Sequence, residues 1–268
     1  MSKATNELFV NQYWQDRVAE AQKQIADKTI EETQKQIRKY YARAAEHCLD
    51  SFEAVVDKIY VGLADGIEPT PADLYKLDKY WQSQAQLRKE LQRLGDKEIS
   101  LMTKAFEDVF EEVYNIMALP TSSTFGTVSH ETITQLINQV WCADGQMWSN
   151  RVWSNVNALA DELNEQLVHI VATGKPTTEL KKNLMERFNV SYNQANTLIQ
   201  TEVAHVQTQA AKQRYIDSGV TEVEVWADYD ERRCKLCGNL HQKKYLVNDT
   251  MPVPAHPNCR CCILPVIK

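Results

Sequence analysis

The sequence predicts a mainly α protein: an elongated helical bundle followed by a small C-terminal α+β module with a cysteine-rich, zinc-ribbon-like site. Three observations predict it. Only eight glycines and eight prolines punctuate 268 residues, about half the usual share, so helices are long and tight turns few. An all-β sandwich or barrel, which needs a turn every ~8–12 residues, is excluded. Apolar residues recur at intervals of three and four as far as Asp217, and beyond it the period changes to two. Five of the seven cysteines then fall within the 29 residues from Cys234 to Cys262.

In the first segment, from about Asn6 to Tyr60, Tyr41, Ala45, Cys48, Phe52, Val55 and Ile59 form one apolar stripe opposite a Gln/Lys/Glu face. Such a stripe is unstable alone in water and packs on later helices with matching faces. Gly62, Gly66, Pro69 and Pro71 mark a loop. Thr70 is an N-cap, with Pro71 at the first helical position and Asp73 in the first turn. The helix it opens carries Leu74, Leu77, Trp81, Leu87, Leu91 and Leu94, and Gly95 is its expected stop. Another helix bears Met102, Phe106, Val109, Val113 and Ile116, and Pro120 with the following Thr-Ser-Ser-Thr-Phe-Gly-Thr forms a loop.

Ser129 caps a helix expected to run through Trp141. A further helix, about Gln146–Thr173, carries Trp148, Val152, Trp153, Val156, Leu159, Leu163, Leu167 and Ile170 and is closed by Gly174 and Pro176. Trp141, Trp148 and Trp153 are read as packing residues. Two more helices are expected, about Thr178–Phe188 and Ser191–Asp217, the second capped by Ser191 and stopped by Gly219. Thr221–Trp226 then alternates as a half-buried strand, Val223 and Val225 on one face and Glu222 and Glu224 on the other. The expected organisation is a helical domain over 1–120, a helical middle region over 121–190, and a module with the Cys/His cluster over 191–268.

Composition narrows function. The net charge of −6 excludes a global basic field of the kind that drives nonspecific DNA binding. No run approaches the ~18 apolar residues of a membrane span, and the opening residues lack the basic-then-apolar design of an export signal. Synthesis in a reducing cytoplasm is expected, where clustered cysteines are ligands or core residues rather than disulfides.

The cluster reads Cys234-Lys-Leu-Cys237-Gly238, then, 21 residues on, Cys259-Arg-Cys261-Cys262, with His241 and His256 nearby. A Cys-x-x-Cys on a tight turn brings two thiolates to one metal, and tetrahedral zinc needs four donors. The expected set is Cys234 and Cys237 plus two from Cys259, Cys261 and His256. Alternation along a strand sets Cys262 apart from Cys259 and Cys261. The alternative is free thiols in a small apolar core. A structural zinc ion supplies folding energy that so short a segment lacks. A catalytic zinc needs an open position and a neighbouring carboxylate, and Asp249 is the one acid after Arg232.

Two further features accompany the cluster. Glu202 and His205 share a helix face, which suits either proton transfer or an ordinary structural pair. Arg232, Arg233, Lys235, Lys243, Lys244 and Arg260 create a local basic excess. It suits phosphate contacts, and equally compensation of the thiolate charge.

Taken together, Thr201-Glu202, the helix to Gly219, the strand ending at Trp226, Asp230-x-x-x-Cys234-x-x-Cys237 and Pro254-x-His256-Pro257-x-Cys259-Arg260-Cys261 resemble one family. It is the phage head-morphogenesis or minor head protein family, named for the F protein of phage Mu, and the resemblance covers about residues 145–267. It implies a non-enzymatic virion component that sits in the head interior near the portal, and acts in head assembly or DNA ejection. The implied partners are the portal protein, other head proteins and, through the basic module, phage DNA, with neither a membrane nor a small-molecule substrate. The motif positions are Thr201, Glu202, Asp230, Cys234, Cys237, His256, Cys259, Arg260 and Cys261. The alternative function is a zinc-ribbon nucleic-acid-binding protein that uses the basic C-terminal module.

Overall fold

The computed structural model describes residues 3–61, 70–121, 123–173, 177–227 and 233–266, with side chains for all of these except 3–12 and 177. The expected loop at Gly62, Gly66 and Pro69, the closure at Gly174 and Pro176, the motif position Asp230 and the basic residue Arg232 lie outside the described residues. Among the described residues the chain is mainly helical. The helices are α1 (Lys3–Val61), α2 (Pro71–Tyr75), α3 (Asp78–Ile116), α4 (His130–Ile137), α5 (Trp148–Thr173), α6 (Thr177–Asp217) and α7 (Lys235–Leu240). Strands β1 (Glu222–Trp226), β2 (Lys244–Leu246) and β3 (Cys262–Pro265) form an antiparallel sheet in the order β2-β1-β3. None of the described helices is long and apolar enough to cross a membrane.

The chain forms two compact units, each assembled from separate stretches. One comprises Gln34–Leu101 and Trp148–Asn196. The expected stripe of α1, Tyr41 through Ile59, is buried here with Leu87 and Leu91 of α3, Val152, Leu163, Leu167 and Ile170 of α5, and Leu180 and Leu184 of α6. Thr70 closes the expected cap as a full capping box: its hydroxyl accepts from the Asp73 N–H at 3.3 Å and its own N–H donates to the Asp73 carboxylate at 3.2 Å. That helix ends at Tyr75, however, and α3 starts afresh at Asp78. Trp81 leaves the expected apolar face for solvent, its indole donating to the Tyr75 carbonyl at 3.0 Å, while Tyr80 takes the buried position.

Gly95 is not a stop. It lies inside α3, where an added Cβ would sit 2.8 Å from Cη2 of Trp153 and closer still to Cζ3. The glycine is a notch for the indole of α5. Gly95→Ala is expected to destabilise this unit by roughly 1–2 kcal/mol, since overpacking outweighs the ~1 kcal/mol of helix propensity that alanine contributes. Urea unfolding checks it; in a Trp153→Ala background the same change turns stabilising, and a more stable Gly95→Ala single variant sinks the notch reading.

A buried polar network joins four helices of this unit. The Tyr41 hydroxyl donates to Glu98 Oε2 at 3.0 Å and accepts from Asn155 Nδ2 at 3.1 Å, and Asn155 Nδ2 also lies 3.0 Å from the Ser191 carbonyl. The Ser191 hydroxyl reaches Asn155 Oδ1 at 3.0 Å. Ser191, the expected cap, is thus an interior residue of one continuous α6 rather than the start of a second helix. A cap residue and an interior residue that bonds across to a neighbouring helix look alike in sequence.

The other unit comprises Met1–Thr33, Met102–Met147 and Thr197–Lys268. Phe106, Val109, Phe110 and Val113 of α3, Ile133 and Ile137 of α4, Val203, Val206, Ala210 and Tyr215 of α6, and Val223, Val225, Ile263 and Leu264 of the sheet are its core. Ser129 caps α4 as expected, but the helix ends at Ile137 and Trp141 lies beyond it. Gly219 stops α6 at φ +73°, with Val220 N–H returning to the Tyr215 carbonyl at 2.9 Å. As the central strand, β1 is buried on more than the expected face: Glu224 is buried as well, and Gln15 of α1 donates to its carboxylate. Gln22 of α1 is fully buried and reaches the Ile263 carbonyl at 3.4 Å and Gln207 of α6 at 3.0 Å. The early part of α1 is therefore built into the same unit as the sheet.

Candidate metal centre

Sheet pairing explains how two distant cysteine pairs meet. Trp226 at the end of β1 stands opposite Cys262 at the start of β3. The chain leaving β1 and the chain entering β3 therefore lie at the same end of the sheet, and they carry Cys234/Cys237 and Cys259/Cys261 respectively. Cys234 is the N-cap of α7, in extended backbone, and its sulfur accepts from the Cys237 N–H at 3.4 Å. Capping places both thiols on the first turn, the knuckle expected of Cys-x-x-Cys. Asn258 has φ +60°, and the chain from His256 to Cys259 turns tightly, closed by Cys259 N–H to the His256 carbonyl at 3.1 Å.

Here His256 Nε2 lies 3.0 Å from Cys237 Sγ and 3.3 Å from Cys234 Sγ. Cys237 Sγ is 3.8 Å from Cys259 Sγ. Two donor groups result, Cys234/Cys237/His256 and Cys237/Cys259/Cys261, each with its ligand atoms within 4.8 Å of one another and Cys237 common to both. His256 Nδ1 sits 2.8 Å from the Pro257 carbonyl. A carbonyl only accepts, so Nδ1 carries the proton and the Nε2 lone pair faces the thiols, the tautomer a metal ligand needs.

The thiols hold one another in unequal protonation. The Cys261 thiol donates to Cys259 and holds it down to about 5, and the same contact with burial pushes Cys261 far up. Burial pushes Cys237 up to about 12, whereas the Cys237 N–H lowers Cys234. Packed thiols that share protons in this way are stabilised as thiolates by a cation, and the 3.8 Å between the sulfurs of Cys237 and Cys259 is close to the ~3.8 Å sulfur–sulfur edge of a tetrahedral metal–thiolate site. The donors fit a metal ion.

Other residues fall into place around the cluster. Cys262 is a buried β3 residue outside both donor groups. His241 accepts from the Ala227 N–H at 3.2 Å through Nδ1 and packs edge-on against Trp226. Cys48 is a core thiol that burial pushes up to about 12. Among the basic residues, Arg260 pairs with both carboxylate oxygens of Asp27 on α1, at 2.9 and 3.2 Å. Arg233 reaches the Gly238 carbonyl at 3.4 Å, and Lys235, Lys243 and Lys244 are exposed.

Thr201 and Glu202 differ in role. The Thr201 hydroxyl donates to the Thr197 carbonyl at 2.7 Å and accepts from the Asn258 N–H at 3.1 Å, which joins α6 to the ligand turn. Glu202 is buried and accepts from the Trp141 indole at 3.0 Å, while the Trp141 ring stacks on His205 at 4.6 Å. Burial drops His205 to about 4, so a neutral imidazole under an indole is a packing element. Helix spacing brought Glu202 and His205 to notice. It gave no sign of Trp141, which lies 61 residues from Glu202 in the chain.

Comparison with known proteins matches residues 161–264 to a family described as phage Mu protein F like protein. The match runs from within α5 to β3 and contains every described motif position, and it bears out the resemblance read from the motif. No curated protein and no solved structure matches the chain.

Proposed function

We propose, from the phage Mu protein F like character of residues 161–264, that this chain is a minor head protein of a tailed phage, a virion component rather than an enzyme. The family supports a place in the phage head. The finer reading is association with the portal and action in head assembly or in the passage of DNA at ejection. In this reading residues 191–268 are the F-type module, and the helical regions 1–120 and 121–190 supply faces for the portal and other head proteins.

The metal in this reading is zinc with a structural role. Cys234, Cys237 and His256 would hold it together with a thiolate from Cys259 or Cys261. When bound, it supplies charge to stabilise the thiolates and a cross-link between α7 and the strand entering β3. Asp249, the one acid between Arg233 and Val266, forms a turn through Leu246 N–H at 3.2 Å and belongs to neither donor group. Among the described residues no carboxylate therefore stands in either group to act as a general base, which favours a structural over a catalytic metal.

The observation that carries the reading is the F-like match, and it is tested in the virion. Heads purified from an infection with an epitope-tagged chain are expected to contain it in few copies, cross-linked to the portal protein. Heads that assemble and package while excluding the chain would overturn the assignment.

A further inference from the structure

The ligand turn is held from outside the cysteine cluster, and this bears on how the site binds its ion. Asn258 sits between His256 and Cys259 with φ +60°, a left-handed conformation that asparagine tolerates better than most residues but less freely than glycine. Its N–H is aimed at the Thr201 hydroxyl of α6, 3.1 Å away, and that hydroxyl is itself oriented by donating to the Thr197 carbonyl at 2.7 Å. One oxygen thus uses its proton inside the helix and turns a lone pair to the turn. The clamp is specific: a hydroxyl at this position both donates and accepts, which a methyl cannot.

We infer that Thr201 is a positioning residue for the metal centre: by clamping Asn258 in its left-handed conformation it presents His256 and Cys259 to the ion before the ion arrives. The inference rests on the zinc reading above. Preorganisation by a partner outside the ligand set is typically worth about 10–100-fold in metal affinity. Loss of the clamp leaves the four-donor chemistry intact but makes binding hold the turn as well. Thr201 is half-buried and surrounded by a complete α6, so valine keeps the packing shape and removes only the hydroxyl.

The test uses the full chain and zinc(II), with affinity measured by competition against a chromophoric chelator and ligand geometry read from the cobalt(II) spectrum. Thr201→Val is expected to weaken zinc about tenfold or more and to perturb the cobalt d–d bands, with α-helical melting unchanged. Thr201→Ser, which keeps the hydroxyl, is expected to bind as the parent does. Asn258→Gly in the Thr201→Val background is expected to recover part of the loss, because glycine adopts positive φ without a clamp. Parent-like zinc affinity in Thr201→Val, with metal bound normally by the parent chain, overturns the positioning role alone. A parent chain that binds no metal overturns the zinc reading, and this inference with it.

Discussion

Replacing Cys237 by serine is expected to abolish metal binding and to release the sheet, because Cys237 is the one thiol common to both donor groups. An ion bound at a thousand times its dissociation constant stabilises the folded state by about 4 kcal/mol, and that contribution disappears with the site. Hydrogen exchange is expected to accelerate across residues 222–265. It is expected to spread into α1 around Gln15, Gln22 and Asp27, which bond to Glu224, Ile263 and Arg260. The unit of Gln34–Leu101 and Trp148–Asn196 is expected to keep its protection. Cys262→Ser, outside both groups, is the control and should retain about one zinc per chain. A Cys237→Ser protein that still carries zinc, or whose exchange is unchanged, sinks the structural role.

A second large effect is expected from Glu98→Gln, and its signature is in pH. Glu98 is fully buried, its Oε2 accepts from Tyr41, and its Oε1 has no hydrogen-bond partner among the described residues. Burial holds its carboxyl up to about 7 against an ordinary 4.5. A carboxyl with a raised folded-state pKa binds its proton more tightly folded than unfolded. The unfolded chain therefore ionises first as pH rises, and stability falls between pH 4.5 and pH 7. Below 4.5 both states are protonated; above 7 both are ionised and the full penalty stands. The gap in pKa corresponds to about 3 kcal/mol. Glutamine fills the same space and never ionises, so the stability difference between variant and parent should move in the variant's favour by about 3 kcal/mol from pH 4 to pH 8. Chemical denaturation followed at both pH values, read on a probe in this unit, measures it. Parallel pH profiles would mean that Glu98 is solvated or paired.

Much of this protein was legible in sequence because the governing forces are local. Four- and three-residue spacing marked the buried faces of α1, α3 and α5, since a helix repeats its face at that period whatever it packs on. The caps at Thr70 and Ser129 and the stop at Gly219 were visible because each is satisfied within five residues. The motif from Thr201 to Cys261 located the cluster because a Cys-x-x-Cys turn is set by its own short span.

What the sequence did not disclose depends on partners far along the chain. Gly95 was a stop by local rules and a notch once Trp153 lay against it. Ser191 was a cap by local rules and an interior residue once Asn155 of α5 accepted from its hydroxyl. Trp81 fell on the expected stripe, yet one residue's rotation of α3 after its restart at Asp78 turned it to solvent and Tyr80 inward.

The sequence by itself determined the class of fold, the helical faces and the residue types of the cysteine–histidine cluster, since these follow from side-chain chemistry and backbone period. Tertiary structure alone decided which donors meet, because β1 had to pair with β3 to bring Cys237 within 3.8 Å of Cys259. It alone decided that α6 holds the ligand turn through Thr201 and that α1 pairs with it through Asp27. Contacts across so much chain carry no signature in local spacing. They form only when burying the shared core offsets the entropy of closing the loops between them.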